Sequence, residues 1–255
     1  MTKNSYSIND SSKSDVALKQ IYAMVKALHA ARSFHELDYI FDVAIDNSSF
    51  PNINIPGKKT EQIYIEKWVN GYCNAMDNLP SQRTATPKSS CSDPAIKLLV
   101  QITQGSSDES ASSEKSFHNL YMSAENIQGN LLEEYIAKKV RPYGFLWCAG
   151  NVLRAIDFCN TDGSTLLQIK NKNNTENSSS SNIREGTTIE KWYRLGSRTQ
   201  NGQLFPKFRW DDLNAIINEN KTEGFDLPPC NMSEEDYQSF IRQVATSNPN
   251  IISDL

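Results

Sequence analysis

The dipeptide Asp162-Gly163 constrains this chain more than any other pair of residues. It lies between two short strand-like runs, 152–159 and 164–170, and Asp-Gly is one of the few dipeptides that accept the backbone angles of a tight hairpin turn. The stretch AIDFCNTDGSTLLQIK therefore reads as two antiparallel strands, preceded by a third at 145–148. Upstream, Ile127, Leu131, Leu132, Tyr135, Ile136 and Val140 recur at helical spacing from Ser123 until Pro142 and Gly144 end the run. Helix followed by paired strands makes this region α/β.

The chain before it reads as helical. Residues 14–31 place Leu18, Ile21, Tyr22, Val25 and Leu28 on one face behind a Ser14/Asp15 cap. Thr60 opens a second helix, and Asp93-Pro94 a third, with Pro at its first position. QGSSDESASSE, at 104–114, is Ser-rich and acidic and reads as a surface linker. After the hairpin comes NKNNTENSSSSN, too polar to pack. Thr187-x-x-Glu190 then matches a capping box for a short helix carrying Trp192 and Tyr193, which read as packing residues. Two further helices are expected near 211–220 and 233–245. The expected organisation is a flexible tail at 1–13, a helical region at 14–122 and a region at 123–255 that holds the chemistry, the last two packed as one compact domain.

Composition narrows the setting. The first residues, MTKNSYSINDSSKSD, have no apolar segment of the secretory kind, and no apolar run approaches the roughly 18 residues of a membrane span. Five cysteines without a C-x-x-C pair argue against a disulfide framework or a zinc knuckle, and suit a reducing cytoplasm. The net charge of −4 hides an asymmetry. Residues 138–210 hold twelve Lys/Arg against five Asp/Glu, a local +7 that leaves −11 on the remainder. Either surface charge fluctuates along this chain, or one phosphate-facing surface is carried on an acidic body.

Phosphodiester hydrolysis needs a cation, an activated water and a proton for the leaving oxygen. Mg²⁺ takes oxygen ligands, commonly one or two carboxylates. Asp157 supplies one carboxylate at the end of its strand. Gln168 and Lys170, two apart, project from one face of the next strand, while Ile169 turns its side chain to the core and offers a main-chain carbonyl. The candidate catalytic residues are Asp157, Gln168, Lys170 and Glu133, and the candidate metal ligands Asp157, Gln168, Ile169 and Glu133. Glu133 comes from the preceding helix, four residues after Gly129, and neighbouring Glu134 is the alternative. An ordinary hairpin with polar ends remains the competing reading of the same residues.

Helix, strand, Asp-bearing strand and x-Ile-Lys strand, in that order, resemble the PD-(D/E)xK nucleases from Gly129 to Lys170. Gln168 stands where that pattern has Glu or Asp. NIQGNLLEEYIAKKVRPYGFLWCAGNVLRAIDF, with LQIKNKNNTENSSSSNIREGTTIEKWYR, is more specifically similar to the SinI-type type II restriction endonucleases, over roughly residues 123–210. That resemblance implies a restriction-endonuclease-like core, a mixed central sheet flanked by helices, in a bacterial cytoplasmic enzyme. It further implies a Mg²⁺-dependent homodimer that cuts both strands of double-stranded DNA at a short palindrome of the GG(A/T)CC kind, with a partner cytosine methyltransferase.

The polar run after the catalytic strand is rich in short amide and hydroxyl side chains, suited to base edges and phosphates. Guanine is most often read by a bidentate Arg, so Arg184, Arg194 and Arg198 are the candidates for that contact. Lys172 and Lys191 are expected on phosphates, and Asn173, Asn177 and Ser178 in the DNA-facing loop. Two other functions use the same elements: a structure-specific or repair nuclease, and a site-specific DNA-binding protein without activity.

Overall fold

A computed structural model of the chain describes residues 5–29, 35–84, 94–105, 107–172, 184–222 and 227–252. In chain order the elements are β1 (Ser5–Tyr6), α1 (Asp15–Ala27), α2 (His35–Asp46), β2 (Ile53–Asn54), α3 (Glu61–Asp77), α4 (Pro94–Gln104), α5 (Asp108–Val140), β3 (Phe145–Trp147), β4 (Phe158–Asn160), β5 (Leu166–Lys172), β6 (Glu190–Gln200), β7 (Gln203–Phe208), α6 (Trp210–Glu219) and α7 (Glu234–Ser247). The fold is mixed α/β, as the sequence predicts. It divides into two compact units, residues 1–78 with 136–234, and residues 79–135 with 235–255.

The first unit is built on a five-stranded sheet in the order β3-β4-β5-β6-β7. β3, β4 and β5 form an antiparallel meander, β6 joins β5 in parallel, and β7 returns antiparallel to β6. Helices α1 to α3 bury their apolar faces in the same core as the sheet, a cluster that runs from Tyr22, Phe41 and Trp68 to Leu146, Cys159 and Leu166. Tyr22 stacks on Phe41 at 4.1 Å between ring centroids, and Trp68 meets both edge-on. Ser14 and Thr60 cap α1 and α3 as expected, accepting the amides of Ala17 and Ile63 at 3.3 Å. Buried residues between Leu18 and Cys73 thus share one core with the sheet.

Two contacts fix the segment that leads into β4. The Trp68 indole donates to the Val152 carbonyl at 2.7 Å. Gly150 has a φ of +77°, and a Cβ there would meet the Gly71 carbonyl oxygen at 2.5 Å. Only glycine fits this backbone-to-backbone approach of the loop to α3.

The second unit has its own aromatic contacts. Tyr237 on α7 packs against Tyr135 on α5 at 5.3 Å and donates its hydroxyl to the Gln128 carbonyl at 2.9 Å. Glu134 accepts from the amide and hydroxyl of Ser81, at 2.8 and 2.7 Å.

Three expectations need correction. The stretch 104–114 is not a linker, because α5 begins at Asp108, where the Ser107 hydroxyl accepts the Ser110 amide at 3.1 Å in capping fashion. The strand expected over 152–159 is reduced to Phe158–Asn160, since Asn151 and Ala155 adopt positive φ and break the extended run. The short helix expected to open at Thr187 does not form; β6 begins at Glu190 instead. The Thr187 hydroxyl donates to the Arg184 carbonyl at 2.8 Å and accepts the Ile189 amide at 3.2 Å, which makes a turn into β6.

Candidate active site

The hairpin between β4 and β5 forms as the Asp-Gly signal predicts. Asp162 accepts the Ser164 amide at 2.9 Å, a bond that holds its carboxyl below the ordinary range. Asn160 braces the same turn, accepting the Thr165 amide and donating to the Ser164 hydroxyl, both at 2.9 Å. Gly163 has a φ of +72° and lies where a Cβ would meet Val43 at 2.9 Å. The turn is therefore locked both in backbone angle and in packing.

Asp157 immediately precedes β4. Its amide donates to the Leu167 carbonyl at 2.8 Å, although Leu167 is already the register partner of Phe158. Two successive residues thus face one, the pattern of a β-bulge, which re-aims the side chain of the extra residue. Here the Asp157 carboxylate turns onto β5, where Oδ2 accepts the Ile169 amide at 2.7 Å. Burial pushes the Asp157 pKa up, while the Ile169 amide and the charge of Lys170 pull it down.

Along β5, exposure changes within three residues. Gln168 is 8% exposed, the Ile169 side chain is buried in the core and Lys170 is exposed. Asp157, Gln168, Ile169 and Lys170 are therefore brought together at one end of the β4–β5 pair. Among the described residues, no three His, Cys, Asp or Glu side chains gather as a metal-binding group. The candidate oxygen ligands at this end of the pair are the Asp157 carboxylate, the Gln168 amide and the Ile169 main-chain carbonyl.

Register decides which basic residues share this face. β5 and β6 pair in parallel with Gln168 opposite Lys191, Lys170 opposite Tyr193 and Lys172 opposite Leu195. Lys191 therefore lies beside Gln168 on the same face. Arg194 falls on the other face, with Asn171. Its Nε donates to Asn171 Oδ1 at 3.0 Å, and its Nη1 reaches both oxygens of Glu234 at 2.6 and 2.7 Å. It is 8% exposed, whereas Arg184 and Arg198 are exposed. Trp192 and Tyr193 are buried, as packing residues should be. Glu133 is half-buried on the part of α5 that belongs to the second unit, and its alternative Glu134 is engaged by Ser81. Asn173, Asn177 and Ser178 lie outside the described residues.

Sequence reasoning overlooked the hairpin of β6 and β7. Its signal was present in Asn201-Gly202, the strongest short hairpin dipeptide, which takes φ values of +52° and +75°.

Against this geometry the comparisons with known proteins are consistent. The model of the SinI restriction endonuclease family matches residues 36–244. The chain is 36% identical over 164 residues to the type II restriction enzyme Eco47I of Escherichia coli, covering 63% of this chain and 64% of that one. It is 41% identical over 144 residues to the type II restriction enzyme SinI of Salmonella infantis, covering 52% of this chain and 63% of that one. The chain thus spans a little under two thirds of the length of each of these curated relatives. Because the family model extends over most of its length, from α2 to α7, the chain belongs to the SinI restriction endonuclease family.

Proposed function

We propose that this protein is a type II restriction endonuclease, a site-specific deoxyribonuclease that makes Mg²⁺-dependent double-strand cuts at a short palindrome of the GG(A/T)CC kind. The observation that carries the reading is the Asp157 carboxylate, aimed by a bulge onto the Ile169 amide between Gln168 and Lys170. Membership of the restriction endonuclease family supports it, and the hairpin then corresponds to the centre of a PD-(D/E)xK core.

The donor set suits a hard cation. Asp157 Oδ2 is held by the Ile169 amide, which leaves Oδ1 for a ligand, and Gln168, a buried residue, offers an amide oxygen. The Ile169 carbonyl leaves β5 on the same edge as the amide that meets Asp157. Three oxygen donors of this kind match Mg²⁺, which completes its octahedron with water and phosphate. When bound, the ion supplies charge neutralisation at the scissile phosphate.

The chain's own groups do the remaining work. Lys170, exposed at the rim, orients the attacking water and holds the phosphate. Lys191, beside Gln168, and Lys172 add phosphate contacts, and Arg184 and Arg198 are further proposed DNA contacts, Arg198 on the opposite face of β6 from Lys191. Glu133 is the proposed further source of negative charge, and Asn173, Asn177 and Ser178 the proposed DNA-facing loop residues. Cutting both strands of a palindrome calls for a two-fold symmetric homodimer, and host DNA needs a cytosine methyltransferase for protection. A bacterial cytoplasm is the corresponding setting.

Gln168 in place of a carboxylate favours one second reading, a DNA-binding protein that has lost cleavage. Both are tested with Asp157→Ala and Lys170→Ala. The endonuclease reading expects the parent protein to cut duplex DNA in Mg²⁺, and expects both variants to lose cutting while still binding DNA in Ca²⁺. Retained cutting by both variants overturns the site. Tight site-specific binding by the parent without cleavage in Mg²⁺ or Mn²⁺ supports the second reading.

A further inference from the structure

The β6–β7 hairpin is well anchored at its root and free at its end. At the root, Trp192 packs on Trp210 at 5.1 Å and donates to the Arg209 carbonyl at 2.8 Å. Arg194 is clamped by Glu234, and the Arg209 amide returns to the Arg194 carbonyl at 3.0 Å. From Ser197 to Lys207 every residue is exposed. Three steps from Ser197 to Gln200, at about 3.4 Å each, lift the turn about 10 Å clear. The major groove of B-DNA is about 8.5 Å deep and wide enough for a two-stranded ribbon.

Charge and side-chain type fit the same occupant. From Ser197 to Lys207 the exposed ribbon carries two basic residues, Arg198 and Lys207, and no Asp or Glu. The ribbon also has two unlike faces. Gly196 pairs with Lys207, Arg198 with Phe205 and Gln200 with Gln203, which puts Arg198, Gln200, Gln203 and Lys207 on one face together with Phe205. The other face carries Thr199 opposite Leu204 and Ser197 opposite Pro206. At the tip, the two glutamines face each other directly across the strands. Gln is the side chain whose amide matches the N6 and N7 of adenine, as Arg matches guanine.

We propose that the β6–β7 ribbon enters the major groove of duplex DNA, and that Gln200 and Gln203 read base edges there, with Arg198 beside them. This inference rests on the endonuclease reading. It adds a base-reading element, separate from the polar sequence at 173–183. The ribbon and the candidate catalytic strand belong to one sheet, so a rigid frame sets the distance between the bases read and the bond cut.

The test uses the full-length protein in Mg²⁺ on a library of duplexes with randomised base pairs. The parent first defines its preferred site, and the rate ratio between that site and its single-base-pair changes is then measured. Gln200→Ala with Gln203→Ala is expected to lower the ratio about 5- to 150-fold at one or two base pairs. Low-salt binding of random-sequence DNA in Ca²⁺ should be unchanged. Thr199→Ala with Leu204→Ser, on the opposite face, is expected to leave the ratio as it was. An unchanged ratio in the glutamine variant overturns the assignment, and so does a uniform loss across all sequences, which marks a backbone contact. In either case the endonuclease reading survives. A parent protein that cuts no duplex overturns both.

Discussion

The position of Arg194 yields a quantitative prediction, because an arginine expected to read guanine is instead committed to Glu234. The Arg194 and Glu234 side chains are 10% and 16% exposed, and the Glu234 carboxylate also accepts the Trp210 indole at 3.0 Å. Glu234→Ala would remove the carboxylate that pairs with the buried guanidinium and accepts from the indole. Breaking such a pair from one side costs about 3 to 5 kcal/mol. For a chain of this size that corresponds to a fall in Tm of roughly 6 to 20 °C. Replacing both partners by Met should recover much of the loss, since the desolvation of two charges is removed along with their attraction. Arg198→Ala, on the exposed ribbon, should change stability by no more than about 0.5 kcal/mol. Thermal unfolding of the metal-free, DNA-free protein reads all three variants. A Tm change below about 2 °C for Glu234→Ala would refute the anchoring role and return Arg194 to the DNA-reading candidates.

Three further outcomes follow from the same geometry. Burial raises the Asp157 pKa, so the ionised form costs stability above its folded-state pKa and nothing below the unfolded value of about 3.9. Asp157→Asn should therefore raise Tm in EDTA at pH 7.5, by an amount that vanishes as the pH falls towards 4; a lower Tm at pH 7.5 would contradict this. Gly150→Ala forces a Cβ into the Gly71 carbonyl at a φ of +77° and should cost about 1 to 3 kcal/mol, with cutting impaired because the loop leading to Asp157 shifts. Gln168→Glu adds a second carboxylate, so titration by Mg²⁺ should show tighter binding and EDTA should reveal a lower Tm. Equal Mg²⁺ affinity in the two proteins would remove Gln168 from the ligand set.

Local signals account for what was legible in the sequence. Ser14, Thr60 and Asp162-Gly163 act through bonds to their own neighbourhood, so the caps and the hairpin could be read directly. Asp157 and Lys170 followed from that hairpin, and the structure brings them together through Ile169. The tertiary features were harder. The bulge that turns Asp157 depends on the pairing of Leu167 with Phe158, which alternation does not reveal. The Thr187-x-x-Glu190 spacing fits a capping box, but Ile189, Trp192 and Tyr193 are buried by the sheet that receives them. Leu37, Ile40, Phe41 and Ala44 of α2 keep helical spacing. No local pattern distinguishes Arg194 from Arg198, because the partner Glu234 is forty residues away.

The central claim is that this hairpin belongs to a metal-dependent enzyme that cuts duplex DNA at one sequence. Unmethylated phage DNA incubated with the purified protein and Mg²⁺, followed by sequencing of the fragment ends, tests it most directly. The account predicts discrete fragments whose ends all fall at one short palindrome, and no fragments with EDTA or with Lys170→Ala. Uncut DNA, or ends scattered without a common sequence, would contradict it.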